Sequence, residues 1–260
     1  MEKVLTRILE DIKSKNQGLF IPYIMAGDSI NGLEDLFATI SYLEEQGVSA
    51  IEIGIPWSDP VADGPVIELA GQRSLSKGTN LEKILEKLKE KKTRAPLILM
   101  SYFNPIFQFG VERFINELKE TSVKAIIVPD LPYEHHSLIG DDLKTTDISL
   151  INLISLTTDK ERQKTILSQA EGFIYAVAVN GVTGEGKTYS DSLNEHLKTL
   201  TEMSSIPVLT GFGVSSFEDV KRFNRYSDGV IVGSKIVKEL NEGKSEILKE
   251  FIYKSSHLKK

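Results

Sequence analysis

Cysteine is absent from the 260 residues, which excludes disulfides, thiol nucleophiles and cysteine-ligated metals and suits a reducing cytoplasm. An excess of positive charge is absent too. Lysine and arginine total 31 against 37 aspartates and glutamates, a net charge of −6, where a nucleic-acid surface would show a basic stripe. No apolar run approaches the ~18 residues of a membrane span. The N-terminal MEKVLTRILEDIKSK places Val4, Leu5, Ile8, Leu9 and Ile12 at helical spacing among charges, unlike the continuous apolar core of a secretion signal. No Pro/Gly/Ser-rich linker or low-complexity stretch divides the chain, so one domain over 1–260 is expected. The histidines at 135, 136, 196 and 257 lack metal-ligand spacing and are expected on solvated surfaces. No Ser/His/Asp arrangement stands out. A soluble cytoplasmic protein is the expectation.

What the chain does contain is a regular series. Short apolar, β-branched runs recur at 19–25, 49–55, 96–102, 124–129, 148–154, 173–179, 207–211 and 229–233. Between them lie segments of helical spacing, such as Leu33-Leu36-Ile40-Leu43, Leu81-Ile84-Leu85-Leu88 and Val111-Phe114-Ile115-Leu118. Strands apolar on both faces and alternating with helices indicate a parallel α/β sheet. Eight such units in a chain of this length fit a closed (β/α)8 TIM barrel preceded by an additional N-terminal helix. The alternative is an open, doubly wound sheet.

One segment points elsewhere. GVTGEGKT, residues 181–188, matches the G-x-x-x-x-G-K-T loop that cradles nucleotide phosphates. A nucleotide domain would need further βα units after it and a strand ending in a magnesium-binding Asp. Only PVLTG and GVIVG follow, neither ends in Asp, and Asp228 precedes its strand. Ser192 and Glu195 form an S-x-x-E box that would start the next helix several residues after Lys187-Thr188. As the sixth βα loop of a barrel, the stretch is instead a long, polar, glycine-rich lid candidate.

A barrel keeps its chemistry at the C-terminal ends of its strands. Along the second run, period-2 alternation turns Ile51, Ile53 and Ile55 outward and Ala50, Glu52 and Gly54 inward. Small neighbours would leave room around the Glu52 carboxyl, and no strand run carries a basic residue at its mouth to neutralise it. The turn-rich loop Pro56–Pro65 adds Asp59 and Asp63, and a helix is expected from about Pro65. The ends of the last two runs, Thr210-Gly211-Phe212-Gly213 and Gly233-Ser234, suit phosphate: glycine permits close backbone approach and a helix start offers free N–H groups.

These residues carry a resemblance. FIPYIMAGD, IEIGIPWSDPVADGPVI, YFNPIFQFG, VPDLPYE, GVTG, LTGFGVSS and DGVIVGSKIV run in order from about residue 19 to 237 and closely resemble the tryptophan synthase α subunit family. The E-x-G-x-P-x-S-D-P-x-A-D-G block is highly specific. The resemblance implies retro-aldol cleavage of indole-3-glycerol phosphate to indole and glyceraldehyde 3-phosphate. Glu52 would be the proton shuttle and Asp63 the partner of the indole N–H. Tyr23, Met100 and Tyr175 would line the indole and glycerol pocket. The backbone of Gly211, Phe212, Gly213, Gly233 and Ser234 would hold phosphate, and Thr183 and Gly184 would sit in the lid.

It also implies an α2β2 complex with a pyridoxal-phosphate-dependent β subunit, met by Asp59, Pro60 and Asn104, and no cofactor for this chain. A stand-alone lyase and a catalytically weak allosteric barrel are the alternatives. Trp57, Tyr23, Asn180 and Ser29 depart from the common family residues without touching the acid/base pair. If 181–188 is a lid, Lys187→Ala leaves turnover within a few-fold of wild type. ATP binding that the same substitution abolishes would reinstate the nucleotide loop.

Overall fold

The computed structural model describes residues 2–177, 191–211 and 213–260. Among them lie nine parallel strands: β1 (Leu19–Met25), β2 (Ile51–Gly54), β3 (Leu97–Met100), β4 (Val123–Ile127), β5 (Ser149–Leu150), β6 (Asn152–Ser155), β7 (Ile174–Val177), β8 (Val208–Gly211) and β9 (Gly229–Val232). Their order in the sheet is β5-β4-β3-β2-β1-β9-β8-β7-β6. The two ends of that order, β5 and β6, are separated in sequence by Ile151 alone. Ser149 and Leu150 pair with Ala125 and Ile126 of β4, whereas Asn152–Ser155 pair with Ile174–Val177 of β7. The fifth run therefore changes neighbours halfway and closes the ring. That is why eight apolar runs yield nine strands, and why the open-sheet alternative fails.

Alternation builds two cores. Leu19, Ile21, Ala50, Ile98, Ala125, Ile127, Ile151, Tyr175, Leu209 and Ile231 point inward and form one apolar cluster. Their neighbours in sequence, among them Phe20, Ile24, Ile51, Ile53, Leu97, Leu99, Ile126 and Val230, face the helix layer in a second. Successive side chains of a strand point to opposite faces, so both faces of each strand are apolar for different reasons.

The N-terminal helix Val4–Ser14 closes the barrel's base. Its Leu5 and Leu9 are fully buried and belong to the interior cluster. Polar ties fix it there: the Gly172 N–H donates to Thr6 Oγ1 at 2.8 Å, and Lys3 Nζ donates to the carbonyls of Leu143 and Thr146 at 3.0 and 2.8 Å. Asp228, just before β9 and 2% exposed, accepts from the Val208 N–H at 3.0 Å and from Lys260 Nζ at 2.8 Å, with Lys13 Nζ 3.4 Å away. It is a satisfied structural carboxylate.

The helix Asp191–Met203 contains Ser192 and Glu195, and Ser216 and Asp219 form a capping box at the helix Phe217–Phe223. One local expectation is corrected. His135 and His257 are exposed, but His136 and His196 are half-buried. His136 stacks at a tilt on Tyr133, and His196 has a buried Nε2 without a hydrogen-bond partner among the described residues; burial lowers the pKa of each. The basal plug yields a stability prediction. Leu9→Ala should cost about 3 kcal/mol through lost burial and a residual cavity, read from denaturant midpoints, and an unchanged midpoint would mean that the helix is not part of the core.

Candidate active site

At the opposite end of the barrel, β1, β2, β3 and β7 each place inward-facing polar or sulfur-bearing side chains. Glu52 lies in register with Tyr23 of β1 and Ile98 of β3, and is 1% exposed. Its Oε2 is buried without a hydrogen-bond partner among the described residues. Tyr23, Met25, Ile67, Ala70 and Val237 pack together beside it, with Met100 against them.

Gly54 has a different purpose from the expected room around the carboxyl, and Gly211 shares it. A Cβ on Gly54 would lie 1.9 Å from the Tyr23 hydroxyl, and one on Gly211 would lie 2.2 Å from the Tyr175 ring. Both glycines therefore admit a tyrosine ring rather than leave an open space. The rings in turn help to desolvate Glu52.

Asp63 arrives from the loop after β2. Pro65 at the first position of the helix Pro65–Ser76 supplies a preset φ and lacks the N–H that a helix start leaves unpaired. Asp63 is 9% exposed, and its Oδ1 accepts from the Tyr102 hydroxyl at 3.1 Å. That hydroxyl accepts in turn from the Ala62 N–H at 3.0 Å. Tyr102 was not among the site residues expected from sequence. Its signal was the same inward parity as Ile98 and Met100, continued one step past the end of β3.

Burial raises the Glu52 carboxyl from its ordinary 4.5 to about 8, and the neighbouring Asp63 carboxyl adds to the shift. Burial also raises Asp63 to about 6; the Tyr102 hydrogen bond opposes this and Glu68 reinforces it. The phenols of Tyr23 and Tyr175 are pushed well up, first by burial and then by the two carboxyls. Among the described residues, no cation figures in the groups that shift Glu52 or Asp63. The arrangement offers a neutral acid at Glu52, a more readily ionised acceptor at Asp63, and neutral phenols around them.

The remaining expected residues divide. Gly211 ends β8, and Gly213 has φ +80°, a conformation that glycine adopts without strain. Gly233 precedes the helix Ser234–Asn241, where the first N–H groups lack intrahelical partners, and a Cβ there would meet nothing closer than 3.7 Å. Asp59 and Asn104 are exposed and Pro60 is half-exposed. Val61, beside Asp59 and Pro60, is 75% exposed, and Phe107, three residues past Asn104, is 61% exposed. Ser29 donates to the Gly32 carbonyl within a turn, and Trp57 is half-buried. Thr183, Gly184 and Phe212 lie outside the described residues, as do Asn180 and the whole of GVTGEGKT.

The family model described as "Tryptophan synthase alpha chain" matches residues 9–260. The chain is 63% identical over 260 residues to the tryptophan synthase alpha chain of Streptococcus mutans serotype c, covering 100% of both. It is 59% identical, over the same full length, to that of Streptococcus thermophilus. Among solved structures, tryptophan synthase of Mycobacterium tuberculosis superimposes with a TM-score of 0.88 at 27% identity, covering 99% of this chain and 100% of that one. The alpha chain of Legionella pneumophila gives 0.85 at 28% identity, covering 98% and 97%. With model, relatives and fold in agreement over the full length, the chain belongs to the tryptophan synthase alpha chain family.

Proposed function

We propose that Glu52 and Asp63 carry out the lyase reaction of this family, the cleavage of indole-3-glycerol phosphate to indole and glyceraldehyde 3-phosphate. The observation that carries the assignment is the pairing itself: a carboxyl kept uncharged by burial, beside one that ionises more readily. Breaking the bond between indole C3 and the glycerol chain would leave an unstable carbanion on C3. Glu52 donates its proton to C3, and Asp63 accepts the hydrogen bond of the indole N–H as positive charge develops on nitrogen. The Glu52 carboxylate then removes the 3′-hydroxyl proton, the C–C bond breaks, and its electron pair returns to the ring. Glu52 ends protonated, as it began. A shuttle of this kind works best with a pKa near ambient pH.

Tyr23, Met100 and Tyr175 hold the indole and glycerol portions. The backbone N–H groups of Gly211–Gly213 and of Gly233–Ser234 take the phosphate, where the helix dipole favours negative charge. This acid–base route uses side chains of the chain alone, and pyridoxal phosphate belongs to the β subunit of an α2β2 complex. Asp59, Pro60 and Asn104 face that partner, and the exposed Val61 and Phe107 on the same two segments favour a partnered enzyme over a stand-alone one. Among the described residues no helix is long and apolar enough to cross a membrane, which fits a cytoplasmic setting.

Indole release from indole-3-glycerol phosphate, assayed with and without a β subunit and alongside gel filtration, tests both the reaction and the complex. Glu52→Gln should keep the fold and lose cleavage by several orders of magnitude, and Asp63→Asn should be severely impaired. Wild-type-like turnover in either removes that residue from the mechanism. The productive form, Glu52 protonated and Asp63 ionised, predicts a bell-shaped kcat/KM profile with limbs near 6 and 8.

The same burial carries a stability cost of definite sign. Between pH 4.5 and about 8 the unfolded chain has lost the Glu52 proton while the folded one keeps it, so stability falls as pH rises through that window. Glu52→Gln should therefore melt roughly 3–10 °C above wild type at about pH 8, with the gap closing toward pH 4.5. Equal melting temperatures at the higher pH would mean that the carboxyl is solvated.

A further inference from the structure

We propose that Tyr102 is a positioning residue for cleavage: its hydroxyl anchors the loop after β2 to the barrel and commits its proton to Asp63, holding that side chain as the acceptor for the indole N–H. The proposal rests on the role given to Asp63 above.

The geometry singles out this phenol. Among the described residues, hydrogen bonds of residues 59–63 otherwise stay within the loop: the Val61 N–H reaches the Asp59 carbonyl at 3.0 Å, the Asp63 N–H reaches the Pro60 carbonyl at 3.2 Å, and Ser58 Oγ reaches Asp59. Only the Tyr102 hydroxyl, among the described residues, connects residues 59–63 to the barrel wall, at Ala62 and at Asp63 together. Tyr102 is itself buried and held at its own end. The Ser101 N–H donates to the Ile127 carbonyl of β4 at 3.0 Å, Ser101 Oγ donates to the Tyr102 carbonyl at 2.9 Å, and the Phe103 N–H donates to Asp130 Oδ1 at 2.9 Å.

A phenol has one proton. With the Ala62 N–H occupying a lone pair of the oxygen, the proton is free to point only at Asp63. The donation matters because of what else surrounds that carboxyl. Glu52 on β2, Glu68 on the helix Pro65–Ser76, Tyr23 on β1 and Tyr175 on β7 all interact with it or with one another electrostatically, and Asp130 faces Tyr102. None of these is a cation. Burial and Glu68 favour the protonated acid at Asp63, and Tyr102 is the contact that opposes them. A protonated Asp63 would direct a hydrogen toward the indole N–H instead of a lone pair, and the ring nitrogen would lose its stabilising partner.

The test is the pH profile of indole release by the full chain with its β subunit, from about pH 5 to 9, so that both carboxyls titrate. Tyr102→Phe should move the acid limb up by about one pH unit, the value of one hydrogen bond to a charged group. The alkaline limb, set by Glu52, should stay in place, so the bell narrows and the deficit is largest at acid pH. In an Asp63→Asn background, adding Tyr102→Phe should cost no more than about two-fold, because the group it acts through is gone. A profile lowered evenly with its acid limb unmoved, or a full additional loss in the Asp63→Asn background, would overturn the proposal.

Should Tyr102→Phe fail to fold, 3,5-difluorotyrosine at position 102 keeps the ring and hydroxyl while strengthening the donor. The acid limb should then move down, and an unmoved limb would again refute the idea. Absence of indole from the wild-type protein would strike the cleavage assignment itself, which separates the two failures.

Discussion

The mouth of this barrel is organised around one unfavourable fact, a carboxyl removed from water with no cation to meet it among the described residues. Glu52 is 1% exposed, and its Oε2 finds no hydrogen-bond partner among the described residues. Burying an ionised carboxylate in this way costs more than a folded domain can spare, so the group keeps its proton instead. Its acid function follows from that. So does the sensitivity of the site to everything that maintains the burial.

Asp228 at the other end of the same barrel makes the contrast clear. It is equally buried, yet receives the Val208 N–H and Lys260 Nζ, with Lys13 close by. Its charge is matched, and it serves to tie β8, β9, the basal helix and the C-terminal residue together. Two acids in comparable depth thus take opposite roles because of their neighbours. Asp63 is less isolated than Glu52: partly desolvated, with one donor in Tyr102 and like charge nearby, it ionises below Glu52. Carboxyls whose environments push their titrations apart are a recurrent basis for dividing acid and acceptor roles.

Much of this was legible in the sequence. The alternation through Ala50-Ile51-Glu52-Ile53-Gly54 placed the carboxyl inward, and the turn-rich block after it placed Asp63 at the same rim. The amphipathic N-terminal segment identified a helix, although spacing alone said nothing of Leu5 and Leu9 plugging the base. Other features depend on contacts between distant segments and left only faint traces. Gly54 reads as room around the Glu52 carboxyl, but the space belongs to Tyr23, whose ring comes from another strand. Tyr102 carries no local signal of its role, because that role lies in reaching Ala62 and Asp63 some forty residues earlier. The fifth apolar run looked like a single strand, since a change of neighbours at Ile151 is a property of ring closure and not of local composition.

The protonation state of Glu52 at neutral pH is the point on which the account turns, and it can be observed without turnover. Isotope-edited infrared spectroscopy of the protein carrying 13C-labelled glutamate, differenced against Glu52→Gln, isolates this carboxyl. The predicted result is a protonated-acid C=O band at neutral pH that gives way to carboxylate only as the pH nears about 8. A carboxylate band already dominant at about pH 6, well below that range, would contradict the account, because Glu52 would then have no proton to give.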